Sequence, residues 1–138
     1  MRQLVVGFAD VDTAREAVRQ AAELAQQLGA VLHVVTAIED DTTDIIRVGS
    51  DEWQVASSGF AESAARNFVD SLPGKVDYTV GVFEGAPADV LVSEAERLDA
   101  DLIVVGNVRM QGVARVLGSV GNGVIRHAPC SVLIVKTV

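Results

Sequence analysis

The amino-acid sequence predicts an open, doubly wound α/β sheet. Two observations carry this prediction: short apolar runs recur along the chain, and the intervals between them hold apolar residues at helical spacing. Most of the runs are continuous rather than alternating, which is typical of strands buried on both faces of a parallel sheet. The 138 residues contain no linker and no internal repeat, so residues 1–138 are expected to form a single domain.

Five strands are expected, and four of them are buried. In the run from Lys75 to Phe83 apolar residues alternate with others, which predicts an edge strand with one face in water. The four continuous runs, in chain order, are Leu4–Ala9, Ala30–Ile38, Asp101–Gly106 and Ser131–Val138.

The first predicted helix has recognisable signals at both ends. It begins after Asp12, where Thr13 and Glu16 have the spacing of a capping box. Gly29 is placed to close the helix in a left-handed conformation.

Proline and glycine mark three further helices. The second follows an apolar pattern that stops before Pro73, and the third has Pro87 in its first turn. The fourth is expected to run from about Gly118 to His127, because Pro129 stops it.

The segment from Glu39 to Gln54 fits neither pattern. It is acidic, with Ile45, Ile46 and Trp53 scattered through it, and we expect a mobile excursion. Because it follows a strand, it could act as a flap over a crevice at the carboxyl ends of the strands. The alternative is a surface loop with an incidental tryptophan.

Composition excludes several classes of partner. A net charge of −8 and a pI near 4.6 argue against nucleic acid or an anionic membrane as the main partner. One cysteine cannot form an internal disulfide, and the amino terminus has no signal-peptide pattern. No apolar run approaches the ~20 residues of a spanning helix, so we expect a cytoplasmic protein.

The loop between the third buried strand and the last helix is the main candidate site. Gly106 ends the strand and would let a ligand approach the backbone closely, while Gly118 and Ser119 present free amides and a hydroxyl at a helix start. Arg109 and Arg115 add positive charge. These features suit a phosphate group, but an alternative remains open in which Ser119 only caps its helix and the arginines only solvate the loop.

Enzyme motifs are missing from the sequence. It has no P-loop, no nucleophile elbow and no metal-ligand cluster. His33 is expected to be a satisfied buried or crevice residue, His127 to interact with the end of its helix, and Cys130 to pack as a small hydrophobe. Asp99 and Asp101 are expected to be solvated turn residues.

Three segments together resemble the universal stress proteins, which are related to the adenine-nucleotide alpha-hydrolase-like folds. The segments are "TAREAVRQAAELAQQLGA", "GAPADVLVSEAERLDADLIVVGN" and "LGSVGNGVIRHAPCSVLIVK". The resemblance implies a sheet of strand order 3-2-1-4-5, with helices on both faces. It also implies a homodimer formed through the final strand, Ser131 to Val138.

The resemblance further implies an adenine nucleotide, ATP or a related one. ATP-binding members carry a glycine, two residues, a second glycine, nine residues, and then glycine with serine or threonine. Gly106, Gly118 and Ser119 match, and Val120 continues the match. Arg109 stands at the second glycine with a spacer one residue shorter, unless Gly112 serves instead.

The first strand departs from the pattern of the ATP-binding members as well. Ala9 aligns with the aspartate that faces adenosine in those members, and Asp10 is adjacent. Arg109 either blocks the phosphates or grips one of them. The sequence therefore predicts a homodimeric nucleotide-binding stress protein rather than a dedicated enzyme. The alternatives are a nucleotide-free interaction protein, whose site is altered by Ala9 and Arg109, and a slow ATPase.

Overall fold

The computed structural model describes residues 1–9, 12–39, 43–48, 51–107 and 118–137, with 43–48 and 51–56 given as backbone. Strands and helices alternate along the chain except for one inserted pair of strands. In chain order the elements are β1 (Gln3–Gly7), α1 (Asp12–Leu28), β2 (Val31–Ile38), β3 (Thr43–Val48), β4 (Asp51–Ala56), α2 (Ser57–Asp70), β5 (Asp77–Glu84), α3 (Pro87–Arg97), β6 (Leu102–Gly106), α4 (Ser119–His127) and β7 (Ser131–Val135).

Five parallel strands form the central sheet, in the order β5-β2-β1-β6-β7. Numbered within this sheet alone, the strands have the order 3-2-1-4-5, so the expected topology is confirmed. β1 lies in the middle, where Leu4 pairs with Leu32 of β2 and with Leu102 of β6. β5 lies at one edge, as its alternating sequence predicts, and β7 lies at the other.

Helices cover both faces of the sheet and create two separate cores. Val6 of β1 packs in one core with residues of α1 and α2, whereas its neighbour Val5 packs in the other with residues of α3 and α4. Successive side chains of a strand point to opposite faces, and both faces are covered here, so both valines are fully buried. This two-sided burial explains why the central strands have continuous apolar sequences.

The ends of α1 confirm one sequence signal and contradict another. Gly29 has a φ of +64°, the left-handed conformation expected at the end of the helix. The expected capping box is wrong: α1 begins at Asp12, Thr13 lies inside its first turn, and the Glu16 carboxylate accepts hydrogen bonds from Arg19 at 2.6 and 2.9 Å.

Within the described part of the chain, no helix is long and apolar enough to cross a membrane.

The segment between β2 and α2 contains two strands, so the expectation that Glu39–Gln54 has neither helix nor strand is wrong. The expected mobility stays a prediction. β3 and β4 form an antiparallel hairpin in which Thr43 pairs with Ala56 and Val48 pairs with Asp51. The sequence contains a signal for it, since a Gly-Ser pair between two runs containing β-branched residues is typical of a hairpin turn. The hairpin is separate from the five-stranded sheet, and its role as a flap stays a prediction.

Candidate functional site

The chain connections change face between β1 and β6. β1 leads into α1 on one face, whereas α3 on the other face leads into β6. In open α/β sheets a crevice forms at such a point, outside the carboxyl ends of the strands. Here those ends are Gly7 of β1 and Gly106 of β6, which lie on adjacent strands.

The structure describes five of the eight predicted site residues. Gly106 ends β6, Gly118 and Ser119 begin α4, Val120 follows them, and Ala9 lies just beyond β1. The other three, Asp10, Arg109 and Gly112, lie outside the described residues, as does Arg115.

The N-cap residue of α4 supplies no side-chain cap. The N-cap residue is Gly118, with φ −70° and ψ 174°, and its carbonyl accepts the Asn122 amide at 2.9 Å. Ser119 is the first helical residue and is exposed, so the alternative in which Ser119 caps the helix is wrong. The amides of Ser119, Val120 and Gly121 have no acceptor within the helix and carry the positive end of its dipole.

Packing against α3 and the sheet holds α4 in place. Val120 is half-buried against the second core, and Gly121 and Val124 are buried. A Cβ on Gly123 would lie 2.7 Å from the Cβ of Ala88, so this glycine lets α3 and α4 approach each other closely. This contact therefore holds α4 close to α3.

Gly106 lies against Thr137, the second residue after β7. A Cβ on Gly106 would lie 3.0 Å from Thr137 Cγ2 and 3.3 Å from its hydroxyl. The contact with Thr137 is by itself enough to explain why a glycine occupies position 106. The close approach of a ligand to Gly106 stays a prediction.

Asn107 and Thr137 form a clip between the ends of β6 and β7. The Thr137 amide donates to Asn107 Oδ1 at 2.6 Å, and the Thr137 hydroxyl donates to the Asn107 carbonyl at 2.8 Å. The Asn107 amide donates to the Val135 carbonyl at 2.8 Å. Sequence analysis missed this clip, because its partners are thirty positions apart and neither belongs to a motif.

The residues after β1 alternate between core and surface. Phe8 is 5% exposed, and its ring lies 5.8 Å from the ring of Phe68. Ala9 is exposed. The position that the resemblance aligns with an aspartate is therefore a small surface residue with no hydrogen-bonding side chain.

One buried hydroxyl close to this end of the sheet has no partner. Thr36, two residues before the end of β2, is 8% exposed, and its Oγ1 makes no hydrogen bond. Sequence analysis did not select it, although a threonine inside an apolar run is a visible signal.

A sequence model of the universal stress protein family matches residues 1–136. The chain belongs to this family. A relative from Staphylococcus aureus (strain USA300), provisionally named a universal stress protein, is 30% identical over 125 residues, which cover 88% of this chain and 75% of the relative.

Solved structures of universal stress proteins share the fold. One, in complex with cAMP, is 32% identical, with a TM-score of 0.75 and coverage of 99% of this chain and 98% of that one. Another, from Archaeoglobus fulgidus in complex with dAMP, is 23% identical, with a TM-score of 0.69 and coverage of 99% and 98%. The second likeness shows the fold alone.

In this universal stress protein the buried polar side chains at the opposite end of the sheet satisfy one another. His33 is 8% exposed, and its ring nitrogens hydrogen-bond Thr79 Oγ1, at 2.6 Å, and Gln3 Oε1. Burial and the nearby Arg97 lower the pKa of His33, and Glu94 partly opposes the change. His33 is thus a satisfied buried residue, as expected.

Asp101 is more than the solvated turn residue that the sequence predicts. Its carboxylate accepts the amides of Arg2 and Gln3 at 2.7 and 3.0 Å, and these two hydrogen bonds lower its pKa. Asp101 therefore holds the start of β1 beside the start of β6. Asp99 is a turn residue, with a φ of 50°.

Cys130 and His127 are the other two side chains that the sequence analysis considered. Cys130 is half-buried, and burial raises the pKa of its thiol, which keeps it protonated at neutral pH. His127 is the exposed last residue of α4. Among the described residues, no three His, Cys, Asp or Glu side chains are grouped so as to hold a metal ion.

Proposed function

We propose that this universal stress protein binds an adenine nucleotide in the crevice between the ends of β1 and β6 and the start of α4, as a homodimeric module rather than a dedicated catalyst. The observation that carries the proposal is the amino terminus of α4. Its N-cap residue, Gly118, supplies no side-chain cap to the first-turn amides, and the exposed Ser119 belongs to the same turn.

The phosphate end of the ligand is assigned to the start of α4. Amides of Ser119 and Val120 and the Ser119 hydroxyl donate to the phosphate oxygens, and Gly118 adds no side chain that would obstruct them. Arg109 and Gly112 belong to the connecting segment, where the guanidinium supplies positive charge to a chain with a net charge of −8.

The adenosine end is assigned to the residues after β1. Ala9, exposed there, offers contact surface but no acceptor, and Asp10 is the nearest carboxylate in the sequence. The structure of a universal stress protein in complex with cAMP, 32% identical to this chain, supports an adenine nucleotide as the ligand class. The choice among ATP, AMP and cAMP rests on experiment.

The homodimer is assigned to β7. This strand is an edge of the sheet, so one row of its amides and carbonyls has no partner strand among the described residues. Its sequence, Ser131–Val135, is apolar after the first residue, and Leu133 is 38% exposed. Pairing with the same strand of a second copy would satisfy these groups and bury Leu133.

A second candidate function is a nucleotide-free interaction protein. Ala9 replaces the expected aspartate, and Gly106 has a packing partner in Thr137 that explains the glycine without a ligand. These two observations favour a crevice that has lost its nucleotide.

Nucleotide carried by the purified protein discriminates between the two candidates. We expect a raised 260/280 nm absorbance ratio and an adenine nucleotide in the mass spectrum of a heat-released extract, and titration calorimetry with cAMP, AMP and ATP ranks the ligands. Phosphate release from ATP tests for slow hydrolysis in the same samples. An extract without nucleotide, together with no heat of binding for any of the three, would leave the nucleotide-free function.

A further inference from the structure

α3 and α4 begin at the same end of the sheet. Each helix leads into a strand of the parallel sheet, β6 after α3 and β7 after α4, so each begins at the carboxyl end of the strands. Ala88 is the second residue of α3, and Gly123 is the fifth residue of α4. The close contact between these two residues therefore lies near the crevice end of both helices.

Gly123 lies one helical turn after the residue assigned to the phosphate. It follows Ser119 by four residues, so the two share one side of α4 and are about 6 Å apart along its axis. The Asn122 amide donates to the Gly118 carbonyl at 2.9 Å, which joins the first turn of the helix to the second. A movement of α4 at Gly123 is therefore passed on to the first-turn amides.

The space at Gly123 accepts a side chain only if the two helices move apart. A Cβ on Gly123 would lie 2.7 Å from the Cβ of Ala88, whereas carbon atoms in contact are about 3.5–4.0 Å apart. Ala88 has no rotatable side chain that could give way, and Val124, the next residue of α4, is fully buried in the second core. An alanine at position 123 should therefore separate the helices by about 1 Å.

We propose that Gly123 is a positioning residue for nucleotide binding, because its contact with Ala88 sets the place of the α4 amides relative to the ends of β1 and β6. The inference rests on the proposed function, in which the phosphate binds at the start of α4 and the adenosine binds after β1. A ligand that spans two such groups needs both within about 0.5 Å of their productive positions. A shift of about 1 Å at α4 should weaken binding without removing any ligand contact.

Exchange of the glycine and the alanine tests the proposal. Gly123→Ala adds the Cβ, and the double variant Ala88→Gly/Gly123→Ala also removes the atom that this Cβ would meet. We expect titration calorimetry with cAMP to show an affinity weaker by at least about fivefold for Gly123→Ala, and within about twofold of wild type for the double variant. Ala88→Val enlarges the same contact from α3 and serves, with the same expected loss, if Gly123→Ala does not fold.

Gly29→Ala is the control for general stability. Gly29 has a φ of +64° between the end of α1 and the start of β2, so it lies at the end of the sheet away from the crevice. A Cβ there would meet nothing within 4 Å, and the variant strains the backbone alone. We expect Gly29→Ala to lower the urea midpoint of unfolding while leaving the cAMP affinity within about twofold of wild type.

The outcomes separate the inference from the proposed function. If wild type binds cAMP and Gly123→Ala binds it equally well, the contact serves only packing and the inference is wrong. Equal weakening by Gly29→Ala, or a double variant that stays as weak as Gly123→Ala, would also overturn it, since the loss would then not come from the distance between the two helices. If wild type itself binds no cAMP, AMP or ATP, the proposed function fails, and the positioning role fails with it.

Discussion

Replacement of Ser119 by alanine should separate ligand binding from helix stability. The N-cap of α4 is Gly118 rather than Ser119, so the substitution does not remove an N-cap side chain. We expect the free energy of unfolding to change by no more than about 0.5 kcal/mol, which moves Tm by no more than about 2 °C. A lost hydrogen bond to a phosphate should weaken nucleotide binding by about 1–2 kcal/mol, or about 5–30-fold in Kd.

Titration calorimetry with cAMP and urea unfolding of the free protein measure the two quantities separately. Ser93→Ala is the control, because Ser93 is likewise an exposed serine of a helix, inside α3. We expect Ser93→Ala to leave the affinity unchanged. An affinity of Ser119→Ala within twofold of wild type would refute a phosphate contact by the hydroxyl, and a large loss of stability would refute the assignment of Gly118 as the cap.

Four further outcomes are expected. Gly118→Asp should raise the free energy of unfolding by a few tenths of a kcal/mol in urea titrations, because the aspartate supplies an N-cap side chain. It should also weaken cAMP binding at least tenfold, because its carboxylate repels a phosphate bound at the same amides. Tighter binding would contradict a phosphate at this position. Arg109→Gly should weaken binding and flatten its salt dependence in calorimetry if the guanidinium grips a phosphate, whereas tighter binding would show that it blocks the site. Leu133→Lys should give monomers or insoluble protein by light scattering, while Lys75→Glu, before the opposite edge strand, should not; a wild type that is monomeric at tens of micromolar would disprove the dimer. The pKa of His33 is lowered below 6.5 in the folded state, so the unfolded chain binds more protons at acidic pH. The free energy of unfolding should therefore fall as the pH drops below about 6.5. Urea titrations at several pH values should show a smaller fall for His33→Asn.

The strands and most helices could be predicted because their signals are local. Val5 and Val6 are both buried on opposite faces, and that environment requires a continuous apolar run. Pro87 begins α3 as expected, since its missing amide would have no partner in the first turn anyway. The order of the strands came from the resemblance to a family rather than from physics.

Features that depend on partners distant in sequence could not be predicted. Asp101 appears in the sequence as a turn residue, and only the fold brings the amides of Arg2 and Gln3 to its carboxylate. Thr137 follows an apolar strand without any motif, and its bond to Asn107 arises from the parallel pairing of β6 and β7. At the start of α4 the sequence left open whether Ser119 is the N-cap. Glycine and serine both occur as N-caps, and only the backbone conformation decides between Gly118 and Ser119.

The central place of β1 has a consequence for how the chain folds during its synthesis. β1 is the first strand made, but its second neighbour, β6, begins at Leu102, roughly a hundred residues later. At 5–20 residues per second the ribosome needs about 5–20 s to supply it. Throughout that interval the amides and carbonyls on one edge of β1 have no partner strand. Such an edge can be bound by a chaperone, or it can pair with another nascent chain and aggregate. Any nascent chain released before β6 is complete lacks one of the two neighbours of its central strand, however well its first half has folded.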